Sequence, residues 1–244
     1  MDRGSEDYGE GAPLEVTVNS SLIPNLLARL TLGVAVAALG LAGVNACASE
    51  AAVPGYPRIT YSKVLHGSTP EYFSITVDRH GHATYEAGNL NEPNSPRNLQ
   101  LRDVTTQKVF DLAGALNNFD AVELESYKKV ANLGRKTLAY DDGSQKHQAA
   151  FNFTTRREAQ ELLDIFEKIS AVAQHIATLE HSIQFDRLRL PEQLRQIQRD
   201  LDRRALAEPE LMEPTLRKIV KNPRFLHLAQ SRAQNILGRL QNQN

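Results

Sequence analysis

Apolar and polar side chains alternate along much of the chain between residues 58 and 153, which predicts β-strands. Two turns punctuate this pattern, His80-Gly81 and Asp142-Gly143, and Asp-Gly is a strong signal for a hairpin. We therefore expect an antiparallel sheet built from hairpins. The predicted strand segments are residues 58–66, 71–87, 99–104, 127–133 and 135–153.

Two helical patterns follow these strands. The first predicted helix begins at Thr105 or Thr106 and continues to Phe119, and the second extends from Thr155 to about Arg187. The second carries an apolar stripe with alternating spacings of three and four residues. Its members are Leu162, Ile165, Ile169, Val172, Ile176, Leu179 and Ile183.

This stripe has two interpretations. A stripe widened by neighbouring apolar residues indicates a core helix that lies across the sheet and extends past it. A strict two-position seam would instead indicate self-association through the far end of the helix, where Ile176, Leu179 and Ile183 would form an interaction stripe.

From Leu190 onward the pattern is helical, and prolines divide it into short helices. We therefore predict an α+β fold: an antiparallel sheet of hairpins covered by one or two helices, followed by an all-helical C-terminal tail. The α+β domain is expected over residues 58–187 and the tail over residues 188–244. Residues 50–57 read as a linker.

Residues 30–49 contain no charged side chain and predict a signal peptide or a membrane anchor. Three outcomes are open: a lipid attached at Cys47, simple cleavage after Ala46 or Ala48, or retention as an anchor helix. Because residues 1–29 are acidic and signal n-regions are basic, we interpret them as disordered or as lying upstream of the true start, for instance Val18.

Composition narrows the function classes. Removing residues 1–47 takes away two basic and five acidic side chains, so the formal net charge moves from −1 to +2. This near-neutral balance predicts no nucleic-acid partner. Because Cys47 is the only cysteine, the remaining domain has none for a disulfide or a metal–thiolate site.

Several side chains qualify as metal ligands by type, but their spacing argues against a site. Asp78, His80 and His82 surround a turn, and two histidines six residues apart on one helix point about 120° apart. Asp141-Asp142-Gly143 lacks the further oxygen ligands of a calcium loop and reads as a turn. We expect no metal and no cofactor. The candidate ligands on the second predicted helix are His175, Glu180 and His181.

No phosphate-binding glycine loop and no nucleophile elbow occurs, so we expect no enzyme with a recognisable motif. A ligand groove on the sheet is the remaining chemical interpretation. Its candidate residues are Tyr85, Glu86, Tyr127 and Tyr140.

The hairpin EYFSITVDRHGHATYEAGN, a helix ending in LNNFDAVELESY and a second hairpin follow one another along residues 68–153. This order resembles an uncharacterised family of bacterial exported domains, whose pattern is matched by Asp78, Gly81, Tyr85 and Phe119. The resemblance implies a fold and an exported location, and it assigns no catalytic residue to this chain. The helical tail lies outside it, and the cysteines such domains often carry near their start are missing.

These observations lead to a functional hypothesis. We expect an exported, membrane-tethered, non-catalytic protein of the bacterial cell envelope that acts as a protein-interaction module. Its partner would be another protein or a second copy, bound through the C-terminal helices. The alternatives are a periplasmic binder of a small ligand or carbohydrate, and a hydrolase without a recognisable motif.

Overall fold

A computed structural model describes residues 57–88 and 96–242. It contains one six-stranded sheet and five α-helices within these ranges, which confirms the predicted α+β class. The strands are β1 (Arg58–Val64), β2 (Tyr72–Asp78), β3 (His82–Gly88), β4 (Arg97–Gln100), β5 (Arg135–Asp141) and β6 (Lys146–Phe151). The helices are α1 (Asp103–Ala115), α2 (Arg157–Phe185), α3 (Leu190–Asp202), α4 (Glu213–Lys221) and α5 (His227–Gln241).

All neighbouring strands are antiparallel, in the order β4-β3-β2-β1-β5-β6. The two predicted turns join β2 to β3 and β5 to β6. The central strand β1 pairs with both hairpins, since Tyr61 lies opposite Ile75 on one side and Leu138 on the other. The register therefore places the inward-facing residues of both hairpins on the same face.

That face forms the first hydrophobic core, together with α1 and the N-terminal half of α2. Tyr61 packs edge-on against Phe73 and also contacts Phe166 of α2, with ring centroids 5.6 Å apart in each pair. Ile59, Leu138 and Phe166 are fully buried. Aliphatic side chains fill most of the remaining volume, as expected of a chain without tryptophan.

Helix α2 continues beyond this core into a second one, which it shares with α3, α4 and α5. Leu179 is fully buried there, Ile176 is 5% exposed, and Ile183 is half-buried against the same cluster. These three residues are the predicted interaction stripe, and the chain's own tail helices cover them. The apolar stripe therefore belongs to the internal core and is not an exposed surface.

One polar network connects the tail to the start of α1, and one ion pair connects α2 to the sheet. Arg102 Nε donates to both carboxylate oxygens of Glu208, at 3.2 and 3.0 Å, and the hydroxyl of Thr105 donates to the same carboxylate. Arg97 of β4 contacts Glu180 of α2 at 2.8 Å. Glu208 is buried, so its carboxylate depends on these donors for the hydrogen bonds that water would otherwise provide.

Two local predictions are wrong. Residues 127–133 form no strand, and the chain passes irregularly from Phe119 to β5. Helix α1 begins at Asp103, so Thr105 and Thr106 lie inside it instead of capping it. No side chain caps the helix at Arg102. Thr106 Oγ1 donates to the carbonyl oxygen of Arg102, four residues earlier, which is a hydrogen bond that threonine commonly makes within a helix.

The Leu179→Ala substitution tests whether the stripe is internal. We expect the free energy of unfolding to fall by about 2 to 5 kcal/mol, because a cavity opens in the second core. Chemical denaturation at several protein concentrations measures this. The loss should not depend on concentration, and the same truncation at the exposed Leu188 should change stability by less than about 0.5 kcal/mol. A neutral Leu179→Ala variant that dissociates an oligomer would contradict the internal packing.

Candidate functional site

A cleft of about 500 Å³ opens where β1 and β6 end, β5 begins and α2 passes over the sheet. Its volume lies within the range of small-molecule sites, about 300 to 1,000 Å³. The walls combine apolar side chains with amides and charged groups. The lining residues are Lys63, Leu65, Asn132, Leu133, Lys136, Phe151, Asn152, Phe153, Thr154, Gln160, Leu163, Asp164 and Glu167.

Lys136 forms the buried floor of this cleft. Its side chain lies on the inward face of β5 and is only 8% exposed. Its ammonium group donates to the carbonyl oxygens of Asn152 at 2.8 Å and Leu133 at 3.3 Å, with that of Gly134 at 3.5 Å. Burial lowers the pKa of this ammonium group, and the neighbouring ammonium of Lys63 lowers it further. These hydrogen bonds tie the loop before β5 to the end of β6 through Lys136.

Glu167 of α2 organises the rim of the cleft. Its Oε1 atom accepts a hydrogen bond from the Tyr61 hydroxyl at 3.0 Å and from Lys63 Nζ at 3.1 Å. Burial and the Glu167 carboxylate raise the pKa of the Tyr61 phenol, so this hydroxyl remains a proton donor. The Lys63 side chain is 23% exposed, and its ammonium group therefore reaches the cleft with donors left for a ligand.

The amides of the cleft hold its loops in place. Asn152 accepts from the Leu133 amide at 2.8 Å and donates to the Ala131 carbonyl at 3.2 Å. Glu125 accepts from the backbone amide of Asn152 at 2.7 Å. The irregular segment before β5 is thus tied to the end of β6, and the cleft is preformed by hydrogen bonds rather than assembled by a ligand.

Asp78, His80 and His82 form the turn of the first hairpin, as predicted. Asp78 Oδ1 accepts from the backbone amides of His80 and His82, both at 2.9 Å, and Oδ2 lies 2.9 Å from His82 Nδ1. Burial raises the pKa of the Asp78 carboxyl, but the hydrogen bonds from His82 and His80 outweigh this and bring it below its ordinary value. The carboxylate stabilises the turn.

Asp142 has the same role in the second hairpin. Its Oδ1 atom accepts from the backbone amides of Ser144 and Gln145, at 2.9 and 2.7 Å, while Asp141 accepts from the amide of Gly143. Both carboxylates are thus occupied by the turn itself. Nowhere in residues 57–88 and 96–242 do three or more His, Cys, Asp or Glu side chains come together as a metal site.

The three candidate metal ligands on α2, His175, Glu180 and His181, make separate contacts. His175 Nε2 lies 3.0 Å from Asp200 Oδ2 and links α2 to α3. Glu180 contacts Arg97 of the sheet, whereas His181 is exposed and packs against the ring of Phe185 at 5.0 Å. They are not brought together.

The four residues expected to line a groove on the sheet are dispersed. Tyr85 is buried against Phe73, with ring centroids 6.4 Å apart, and Tyr140 packs against the same core. Glu86 follows Tyr85 on β3, so its side chain lies on the opposite face. Tyr127 is 84% exposed in the irregular segment before β5. The prediction that these four residues line one groove is therefore wrong.

Sequence reasoning missed the cleft, although one signal was present. In the alternating segment of β5, Lys136 has the same parity as Leu138, so the pattern already places a lysine on the apolar face. The other lining residues come from four separate segments, 63–65, 132–133, 151–154 and 160–167, and carry no shared motif.

Comparison with known proteins does not assign this chain to a family. No protein-family model matches the chain, and no curated protein matches it. The resemblance to exported domains therefore stays a prediction.

The predicted export segment and its processing residues Ala46, Cys47 and Ala48 lie outside the described residues. Among residues 57–88 and 96–242, no helix combines the length and apolar character needed to cross a bilayer.

Lys136→Met tests the structural role of the buried ammonium group. The change keeps most of the side-chain volume but leaves the carbonyl oxygens of Asn152 and Leu133 without their donor. We expect the free energy of unfolding to fall by about 1 to 3 kcal/mol. The matched control is Lys128→Met at an exposed position, which should be nearly neutral. Equal stability of the two variants, measured by denaturant titration, would contradict the assignment.

His175 should make the stability of the second core depend on pH. Burial lowers its pKa below 6.5, although the Asp200 carboxylate opposes this. The unfolded chain therefore binds the proton more readily, and stability should fall as the pH drops through the window below 6.5. We expect His175→Gln to lose less stability than the wild type between about pH 7 and pH 5. The exposed His66→Gln variant should follow the wild type, and parallel profiles for all three would refute the prediction.

Proposed function

We propose that this chain is a non-catalytic ligand-binding protein of the bacterial cell envelope, with its site in the cleft above Lys136. One observation carries the proposal: a preformed cleft of about 500 Å³ whose walls include several apolar side chains and whose rim presents the cation of Lys63. Of the sequence hypotheses, this supports the small-ligand binder over the protein-interaction module, because the helical stripe is buried internally.

The charges at the cleft favour a ligand with an anionic head. Lys63 and Lys136 lie directly opposite each other on β1 and β5, and Glu167 provides the carboxylate next to them. Asp164, the other acid of the lining, pairs with Lys168 at 2.8 Å. The carboxylate of Glu125 also acts on Lys136, so the case for an anionic head depends on Lys63, whose ammonium group keeps donors beyond its bond to Glu167 that a ligand carboxylate could accept.

The apolar side chains of the cleft walls indicate that the rest of the ligand is apolar. Leu65, Leu133, Phe151, Phe153 and Leu163 supply apolar surface around the charged rim. Burying an apolar body there contributes roughly 25 cal/mol for each Å² removed from water. The ligand class is therefore a small amphiphilic carboxylate, such as a short-chain or aryl carboxylic acid.

Support for the proposed location in the cell envelope comes from the sequence. The uncharged run from residue 30 to residue 49 ends in small residues, the pattern of an export segment.

Thermal unfolding of the full chain with a panel of carboxylic acids, and with the matching amines and amides, tests the proposal. A ligand at about 100 times its Kd should raise the Tm by about 5 to 10 °C, because it binds only the folded state. We expect the carboxylates to do this and the amines not to.

Variants then locate the site. Lys63→Met should weaken carboxylate binding by about 10- to 100-fold, and Lys63→Arg should restore most of it. Leu133→Trp should fill the cleft without disturbing the core, since Leu133 is 43% exposed. Lys128→Met is the charge control outside the cleft. If no carboxylate raises the Tm, or if all variants bind alike, the proposed function is wrong.

A further inference from the structure

The end of the helical tail exposes large apolar side chains at two adjacent loops. Phe185 ends α2 and is 68% exposed, and Leu188 in the turn before α3 is 78% exposed. Leu226 and Leu228, at the start of α5, are 48% and 53% exposed. We call these four residues the tail tip. Leucine and phenylalanine exposed to this degree cost free energy in water, and a contiguous set indicates an interaction surface.

Contacts between the loops hold the tail tip together. The guanidinium group of Arg187 lies 5.8 Å from the ring centroid of Phe225, the residue before Leu226. Arg232 of α5 donates to the carbonyl oxygen of Pro191 at the start of α3. The α2–α3 turn and the start of α5 are therefore neighbours in the fold.

The charges around the tail tip are strongly one-sided. Residues 185–189 and 221–228 carry four exposed cations and one carboxylate. That carboxylate, Asp186, pairs with Arg189 at 3.0 Å, and the nearest acid of α3, Glu192, pairs with Arg195. The cations are Arg187, Arg189, Lys221 and Arg224.

Exposed Phe and Leu side chains that have Arg and Lys close to them in the chain match the chemistry of an anionic membrane surface. The apolar side chains enter the boundary between head groups and acyl chains, while the cations meet lipid phosphates. We propose that the tail tip docks on a bilayer containing anionic phospholipids. This surface shares no residue with the cleft, so the inference goes beyond the proposed ligand binding.

The chain has no tryptophan, so a single introduced indole reports on one position. The experiment uses the full chain with Leu188→Trp, mixed with vesicles of phosphatidylcholine alone or of phosphatidylcholine and phosphatidylglycerol in equal amounts. We expect the emission to shift to shorter wavelength, with quenching by brominated lipid, only in the anionic vesicles. Added salt should reverse the shift. Any contact through the N-terminal segment is common to all variants and does not itself move the signal of residue 188.

Two controls sharpen the test. Tyr127→Trp places the reporter at another exposed aromatic position, and its emission should stay that of an indole in water. Adding Arg189→Gln and Arg224→Gln to Leu188→Trp should reduce partition into anionic vesicles by about 30-fold.

Three results would overturn the inference. The first is no shift with either vesicle, and the second is an equal shift with both. The third is a shift that grows with protein concentration without lipid, which would make the tail tip a contact between copies of the chain. None of these results depends on whether carboxylates bind the cleft.

Discussion

The length of α2 is the constraint on which the rest of the structure depends. Its 29 residues span about 43 Å, whereas six strands spaced about 4.8 Å apart make a sheet only about 24 Å across. A helix with an apolar stripe along its length cannot be covered by this sheet alone. Contacts with Lys63 of β1 at Glu167 and with Arg97 of β4 at Glu180 show that α2 crosses the sheet toward the β4 edge. Helices α3, α4 and α5 cover what extends beyond it.

This arrangement explains why the tail packs on the domain. Val172, Ile176 and Leu179 would expose apolar surface without it, and their burial joins the tail helices to α2. Polar contacts then fix the orientation. Glu208 has a backbone φ of 57°, in the left-handed region that costs a non-glycine residue energy, and it is held there by Arg102 and Thr105. The strained turn is compensated by a charged hydrogen-bond network.

Sequence periodicity predicted the features that depend on local spacing. The strand alternation, the turns at Gly81 and Asp142-Gly143 and the stripe of α2 all follow from the geometry of one strand or one helix. Gly81 has a φ of 78°, and a Cβ there would lie 2.7 Å from the Leu101 carbonyl oxygen, so the turn requires glycine. Helix starts were less accurate: α2 begins at Arg157 instead of Thr155, and Thr154 Oγ1 accepts from the Arg156 amide just before it. The cleft depends on tertiary contacts between distant segments, which local spacing does not encode.

The cleft and the tail tip use different parts of the same helix. Glu167 at the cleft and Phe185 at the tail tip are 18 positions apart, about 27 Å along the axis of α2. This distance is about three Debye lengths at physiological ionic strength, so the charges of one surface have little direct effect on the other. Coupling between the two would require an element with two arrangements, and each half of α2 is packed into its own hydrophobic core. The proposed ligand binding and the proposed membrane docking are therefore separable, and each can be tested at its own residues.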